Sequence, residues 1–208
     1  MPTRSAVERR PPLRVVTESA GADLDAAEDA ADALLTALGL DTRSEGMRET
    51  PRRMVAAYVE MLTPREFDLT TFANDESYDE LVLGRSIPVR SVCEHHMLPF
   101  LGVAHVGYLP GERILGLSKL ARVVEMFSRR PQLQERLTAQ IARWLQETLE
   151  PHGVGVVIEA EHLCMTVRGV RADGALTVTS TLLGRLRDDP RSRSEFLSLA
   201  NPRFEGAR

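Results

Sequence analysis

The feature that most constrains this chain is a pair of short segments, far apart in the sequence, that carry both of its cysteines close to histidines. In residues 91–100, Cys93 and His96 are separated by two residues, a spacing at which two soft ligands can reach one transition metal. The only other cysteine, Cys164, lies in residues 161–165 and is a candidate third ligand. Two thiolates and one imidazole match the ligand set of a catalytic zinc that keeps an open position for water.

A simpler interpretation is that both cysteines are small buried hydrophobic residues in a reduced protein, the usual state of a free cysteine. Each cysteine here is a close neighbour in sequence of a histidine, His95 or His96 for the first and His162 for the second. That pairing favours the zinc site over simple burial.

Length and composition limit the class of protein. A chain of 208 residues with 43% hydrophobic residues can bury a core as one domain with a tail. Its formal net charge of −4 argues against nucleic acid or an anionic membrane as a partner. Two cysteines do not make a disulfide framework, and residues 1–14 lack the hydrophobic segment of a signal peptide. Since no apolar run approaches transmembrane length, we expect a cytoplasmic protein.

The N-terminal part of the sequence predicts a mobile tail followed by two helices. Residues 1–21 are rich in Pro, Arg and Ser and show no periodicity. Asp23 can cap a helix that runs to about Leu38, and a second helix is predicted to begin near Thr50. The second helix should bury Met54, Tyr58 and Met61.

The rest of the sequence predicts an antiparallel sheet with helices. Residues 64–78 indicate a loop, whereas residues 87–93 and 101–108 are rich in β-branched residues and predict two strands that flank the first cysteine segment. Further helices are predicted over residues 116–127, 131–149 and 190–200, and further strands over residues 153–160 and 175–182. The predicted fold class is α+β, with an antiparallel sheet backed by helices on one face. Such a sheet has open edges, and assembly of subunits could cover them.

Four sequence blocks resemble the signature of GTP cyclohydrolase I, in the order and at the spacing of that family. They are Cys93-Glu-His-His96, Gly116-Leu-Ser-Lys119, Arg130-Pro-Gln-Leu-Gln-Glu-Arg-Leu137 and His162-Leu-Cys-Met-Thr-Val-Arg-Gly169. The resemblance implies the tunnelling fold, in which antiparallel sheets from several subunits join into a barrel. It implies a domain over residues 22–208, with N-terminal helices at 22–63 and a catalytic core at 85–200. It also implies a homodecamer whose active sites are shared between neighbouring subunits.

The resemblance implies a reaction as well. The imidazole ring of GTP is opened by water, formate leaves, and the product recloses as 7,8-dihydroneopterin triphosphate, the first step of tetrahydrofolate biosynthesis. Zn²⁺ held by the two cysteines and His96 would lower the pKa of bound water to about 7. His95 and His162 are the candidates for proton transfer near neutral pH. An orienting role beside the metal is the alternative for His95 and the role expected of Glu94.

The resemblance also assigns substrate contacts. Glu135 would accept from N1 and N2 of guanine as a fork, beside Gln134. The alternative is that both side chains only solvate and cap the helix that begins there. A triphosphate needs several cations, and the chain contains a single lysine. The residues implied at the phosphates are Arg53, Lys119, Arg122 and Arg168. Ser118 is expected to form a hydrogen bond nearby and is counted among the catalytic residues.

Two other functions stay open on the sequence. A sister enzyme of the same fold could act on GTP but stop at the formamide, or serve a deazapurine pathway. A zinc-stabilised binding or regulatory protein without turnover would belong to a different class. The open position of a three-ligand zinc site, with two further histidines beside it, argues against the second possibility.

Overall fold

The computed structural model describes residues 13–15 and 21–200. In chain order its elements are β1 (Leu13–Val15), α1 (Leu24–Ala37), α2 (Thr50–Leu62), β2 (Phe67–Leu69), β3 (Thr71–Ala73), β4 (Val82–Cys93), β5 (Pro99–Leu109), β6 (Arg113–Leu115), α3 (Leu117–Ser128), β7 (Pro131–Gln132), α4 (Gln134–Leu149), β8 (Gly153–His162), α5 (Leu163–Thr166), β9 (Thr177–Gly184), α6 (Arg185–Asp188) and α7 (Pro190–Leu199).

The helix pair α1 and α2 begins where the sequence predicted. Asp23 caps α1, since its Oδ1 accepts a hydrogen bond from the Ala26 N–H at 3.0 Å. Gly39, with φ of +83°, follows the end of α1 in the left-handed conformation that commonly ends helices. Pro51 lies in the first turn of α2, where its missing N–H has no helical partner to lose.

The apolar faces of these two helices are less buried than predicted. Among the residues of α1, all of which the structure describes, Ala31 alone is buried, while Leu24 and Leu34 are 49% and 50% exposed. The residues of α2 are half-buried or exposed, because α2 packs mainly against α1 and less against β4. This burial pattern corrects the prediction for Met54, Tyr58 and Met61.

The largest sheet in the described residues has five strands in the order β7–β4–β5–β8–β9. Its pairs are antiparallel, except that the two-residue β7 runs parallel to β4. Val92 lies opposite Pro99 across β4 and β5, and Phe100 lies opposite His162 across β5 and β8. This register places the end of β4 and the end of β8 at the same end of the sheet, so both cysteine segments meet there.

Helices cover both faces of this sheet. The side chains of α3 and α4 bury one face of the sheet. Every second residue of each long strand points to that face, and these residues form a single core with the two helices. On the opposite face, Phe196 of α7 packs so closely that a Cβ added to Gly155 would lie 2.6 Å from its Cε1 atom. The prediction of helices on one face therefore holds for α3 and α4 but not for α7. Residues of the main core include Phe100, Val106, Val123, Leu137, Ile141 and Ile158.

Residues 64–78 are not simply a loop. The short strand β2 pairs with β1, and β3 pairs with β6, so that Thr71 lies opposite Leu115. Strands of three residues carry no usable periodicity, and their partners are distant in sequence, which is why the prediction for this segment was wrong. Apart from residues 13–15 and 21, the predicted tail lies outside the described residues.

The fold class is α+β, as predicted from the order of helices and strands. Of the helices that the structure describes, none combines the length and the apolar character needed to cross a membrane.

Candidate active site

The first half of the site is the turn that follows β4. Cys93 ends the strand and is buried, and its N–H donates to the Leu98 carbonyl at 2.8 Å while its own carbonyl accepts from the Met97 N–H at 2.8 Å. Met97 adopts φ of +53°, which closes the turn. His95 and His96 lie exposed on the turn between these residues.

His96 reaches back to the strand end. Its Nδ1 lies 3.8 Å from Cys93 Sγ. Two ligands at tetrahedral angles on one zinc, at the usual Zn–S and Zn–N distances, would be roughly 3.6 Å apart. The separation of Cys93 Sγ and His96 Nδ1 is therefore compatible with both residues binding one zinc ion.

The second half of the site is the end of β8. His162 is the last residue of the strand, and Cys164 lies in the single turn α5 that follows. The ligand atoms of Cys93, His162 and Cys164 all lie within 4.8 Å of one another. Within the described part of the chain this group does not include His96, so the structure places a histidine different from the one predicted among the three clustered donors.

The Cys164 thiol is affected by its surroundings. Burial raises the pKa of the Cys164 thiol, and the adjacent Cys93 raises it further, while the nearby Arg168 guanidinium acts in the opposite direction. Two thiolates this close repel each other unless a cation lies between them. A divalent metal would supply that cation, because thiolates bind metals in their deprotonated form.

His162 is held from two sides. Its ring stacks on Phe100 with centroids 4.6 Å apart and an interplanar angle of 11°. Its Nε2 lies 2.7 Å from Gln134 Oε1, at the start of α4. Burial lowers the pKa of His162, and the carboxylate of Glu135 opposes that shift, which shows that Glu135 lies close enough to act on the ring.

Glu94 ties the turn to α4. Its carboxylate forms an ion pair with the Arg136 guanidinium, whose Nε also donates to Gln132 Oε1 at 2.9 Å. The Glu94 N–H donates to the Gln132 carbonyl at 3.1 Å. Glu94 therefore links the turn that carries the two exposed histidines to α4 and to Gln132.

The predicted phosphate-binding residues come from three separate elements. Ser118 and the half-buried Lys119 lie in the first turn of α3, with Arg122 one turn further on. Arg122 pairs with Glu125, whose Oε2 lies 3.1 Å from Arg122 Nη1. The remaining two, Arg53 on α2 and Arg168 after α5, are both exposed.

Sequence reasoning missed two contacts at this site. Phe100 stacks on His162 because the β5–β8 register sets these residues opposite each other, and that register cannot be read from either segment alone. The Tyr58 hydroxyl of α2 donates to the Met97 carbonyl at 3.0 Å, which anchors the histidine turn to the N-terminal helices. The periodicity of α2 marked Tyr58 as a core residue and gave no sign of this contact.

Comparison with known proteins adds an independent finding. The sequence model of the family described as GTP cyclohydrolase I matches residues 27–201. A protein of Synechococcus sp. (strain JA-2-3B'a(2-13)) named GTP cyclohydrolase 1 is 52% identical over 174 residues, which cover 82% of this chain and 76% of that protein. The protein of the same name from Streptomyces avermitilis is 53% identical over 178 residues, covering 83% of this chain and 88% of that protein. The corresponding protein of Mycolicibacterium vanbaalenii is 53% identical over 180 residues, with coverage of 83% and 88%.

Proposed function

The chain belongs to the GTP cyclohydrolase I family, and from this premise we propose that it opens the imidazole ring of GTP with water, releases formate and recloses the product to 7,8-dihydroneopterin triphosphate. This is the first step of tetrahydrofolate and pterin biosynthesis. The observation that carries the proposal is the meeting of Cys93, Cys164 and two histidines at one end of the sheet, beside the acidic first turn of α4.

The donor set fits a zinc ion. Cys93 and Cys164 offer two soft sulfur ligands. Burial and the neighbouring Cys93 raise the pKa of the Cys164 thiol, and a bound cation would act in the opposite direction. We assign the third ligand to His96, because its Nδ1 lies 3.8 Å from Cys93 Sγ and its ring is exposed. We keep His162 for proton transfer, the role that the resemblance implies, and its Nε2 lies 2.7 Å from Gln134 Oε1.

When bound, zinc would act as a Lewis acid that makes hydroxide available near neutral pH. The chain's own residues would supply the proton transfers. We assign His95 to the purine end of the substrate, where a nitrogen must be protonated as the imidazole ring opens. We assign His162 to the ribose oxygen, where a proton is needed for the later rearrangement. Glu94 would keep the turn in place through its ion pair with Arg136.

Glu135 is proposed to select guanine. Its carboxylate is exposed in the first turn of α4 and close enough to His162 to influence the pKa of that ring. A carboxylate can accept from both N1 and N2 of guanine as a fork, which adenine cannot match because it lacks that pair of donors. The proposed specificity is therefore for GTP over ATP.

The triphosphate is proposed to bind at basic residues of α2, of α3 and of the segment that follows α5. A guanidinium offers a planar fork to phosphate oxygens, and the single lysine offers a compact point charge. The Ser118 hydroxyl lies next to that lysine in the same turn of α3. The proposed phosphate ligands are Arg53, Lys119, Arg122 and Arg168.

We further propose that the protein is a homo-oligomer, a decamer with active sites at subunit interfaces, in the reducing cytoplasm. Two features support assembly: β9 is an edge strand of the main sheet, and apolar residues on it and before it are largely exposed. These exposed residues are Val167, Val170, Leu176 and Val178. A reducing compartment is supported by the two cysteines, which both lie in described residues and are free.

The test is to incubate the protein with GTP and to follow formate and pterin fluorescence together. The proposal predicts both products in equal amounts, and very little reaction with ATP. Formate without pterin, or an opened formamide alone, would instead identify a sister enzyme that stops early. No reaction at all in zinc-loaded protein would favour a binding protein and contradict the proposal.

A further inference from the structure

The side chain of Gln134 is buried at the junction of α4 with the sheet, only 2% exposed. Its Nε2 lies 3.1 Å from the Ile158 carbonyl oxygen and 2.9 Å from the Thr177 carbonyl oxygen. Backbone carbonyls can only accept hydrogen bonds. The amide must therefore point its NH₂ group at β8 and β9, because the reversed amide would set its oxygen against two other oxygens.

A pair of threonines supports the same orientation. Thr138 Oγ1 donates to the Gln134 carbonyl at 2.7 Å and lies 2.7 Å from Thr179 Oγ1. Because the Thr138 proton is used at that carbonyl, Thr179 must be the donor between the two hydroxyls. Thr179 Oγ1 is then left as an acceptor, and Gln134 Nε2 lies 3.2 Å from it. The NH₂ group has two protons for these three acceptors, and none of the three can donate to it.

The orientation of the amide determines where the proton of the neutral His162 ring lies. With its NH₂ group directed at the sheet, Gln134 presents only its Oε1 to the imidazole, 2.7 Å from His162 Nε2. An amide oxygen accepts and cannot donate, so Nε2 must carry the proton and Nδ1 must carry the lone pair. Stacking on Phe100 fixes the plane of the same ring.

We infer that Gln134 is a positioning residue, which holds the neutral His162 ring with its proton on Nε2 and its lone pair on Nδ1. This inference deepens the proposed function and rests on it where it concerns catalysis. It replaces the substrate contact that the sequence predicted for the Gln134 side chain, since both the oxygen and the nitrogen of the amide are engaged within the chain.

The location of the proton can be measured directly. Protein as purified, labelled with ¹⁵N in its histidine rings, is studied by solid-state NMR at alkaline pH, and the His162 signals are identified by their loss in His162→Ala. We expect a protonated Nε2 and a Nδ1 without a proton. A proton on Nδ1 would overturn the inference, whatever the protein does with GTP.

The role of Gln134 is tested with Gln134→Met, which keeps the side-chain length and removes the amide. We expect His162 to populate both tautomers, zinc to be retained, and pterin formation to fall by about 10–100-fold, as is usual when a residue that orients an active group is lost. Opened formamide should accumulate relative to pterin, as expected for His162→Ala.

Gln146→Met is the matched control, because Gln146 lies on the same helix three turns away and donates to the Pro151 carbonyl at 3.0 Å. We expect this variant to keep the parent's tautomer and its product ratio. A slow Gln134→Met variant with an unchanged His162 tautomer, or an equal loss in Gln146→Met, would overturn the positioning role. If the parent forms no pterin, the proposed function fails, while the NMR measurement still decides the tautomer.

Discussion

The two ends of the site are built differently. On the turn after β4, His95 and His96 are exposed, with ring centroids 6.2 Å apart in an edge-to-face arrangement. At the end of β8, His162 is half-buried, stacked on Phe100 and hydrogen-bonded to Gln134. The first end is held mainly through its backbone, and the second through its side chains.

This difference suggests a division of labour. Side chains that are exposed on a fixed backbone turn can adjust to a metal and to a substrate when these bind. A ring that is already locked in plane and tautomer suits a proton transfer at one defined atom, since a catalytic group must be held in productive geometry. Substitutions on the turn after β4 should therefore change zinc binding and ring opening. Substitutions around His162 should change the later step that forms pterin.

The largest expected effect comes from the cysteines that join the two ends. Cys164→Ser should lose most of its zinc and essentially all turnover, because two ligands rarely hold a catalytic metal. Elemental analysis and the GTP assay measure both. The neighbouring Met165→Leu variant, at a partly exposed position of the same turn, should retain both properties. Full zinc content together with full turnover in Cys164→Ser would contradict the metal site.

The two histidines to which we assign proton transfer should show the next largest effect. His95→Ala and His162→Ala should each lose about 10²–10⁴ in rate while zinc stays near one per chain. The two variants should differ in product: His162→Ala still opens the ring and accumulates formamide, whereas His95→Ala opens it slowly.

Exposed His152, which has no assigned role, provides the control for these variants as His152→Ala. Zinc, opened product and pterin are measured for all three under the same conditions. Loss of zinc in His162→Ala would make this residue a ligand and remove the division between the two ends.

A smaller effect is expected at the guanine contact. Glu135→Gln leaves one substrate donor mispaired, at a free-energy cost of roughly 1–3 kcal/mol, or about 5–150-fold in kcat/KM for GTP. Glu147→Gln, at an exposed position of the same helix, should be silent. Equal use of GTP and ATP by the parent protein would show that Glu135 does not select the base.

The smallest expected effect tests what holds the exposed turn. Tyr58→Phe removes the hydroxyl that donates to the Met97 carbonyl, and should lower the free energy of unfolding by about 1 kcal/mol. Zinc should also bind somewhat more weakly, which competition with a chelator can measure. Tyr78→Phe, at an exposed tyrosine, is the control. If Tyr58→Phe changes neither property, the backbone alone fixes the turn.

Local signals in the sequence predicted much of the fold. Asp23 marks a helix start correctly, because capping depends on the cap residue and the next few N–H groups, and Asp189 caps α7 in the same way. The long strands were predicted by composition, yet the short β3 was missed because its partner β6 lies far along the chain. In α1 the periodicity of the sequence identifies an apolar face, but it does not show which part of the molecule packs on that face. The burial of α1 could therefore not be predicted.

The candidate site was less predictable than the fold. The spacing of Cys93 and His96 is local, and it correctly indicated that the two side chains lie close together. The setting of His162 depends on the β5–β8 register and on carbonyl groups of two strands that meet only in the folded chain. For that reason the hydrogen bonds of the Gln134 side chain could not be foreseen from the sequence.

The most direct test of the whole account is a zinc titration of chelated protein in the presence of GTP. The account predicts that formate and 7,8-dihydroneopterin triphosphate appear together in equal amounts, at a rate that rises with added zinc and levels off at about one zinc per chain, the capacity of a single three-ligand site. Full turnover by the metal-free protein, or formate released without pterin at saturating zinc, would contradict it.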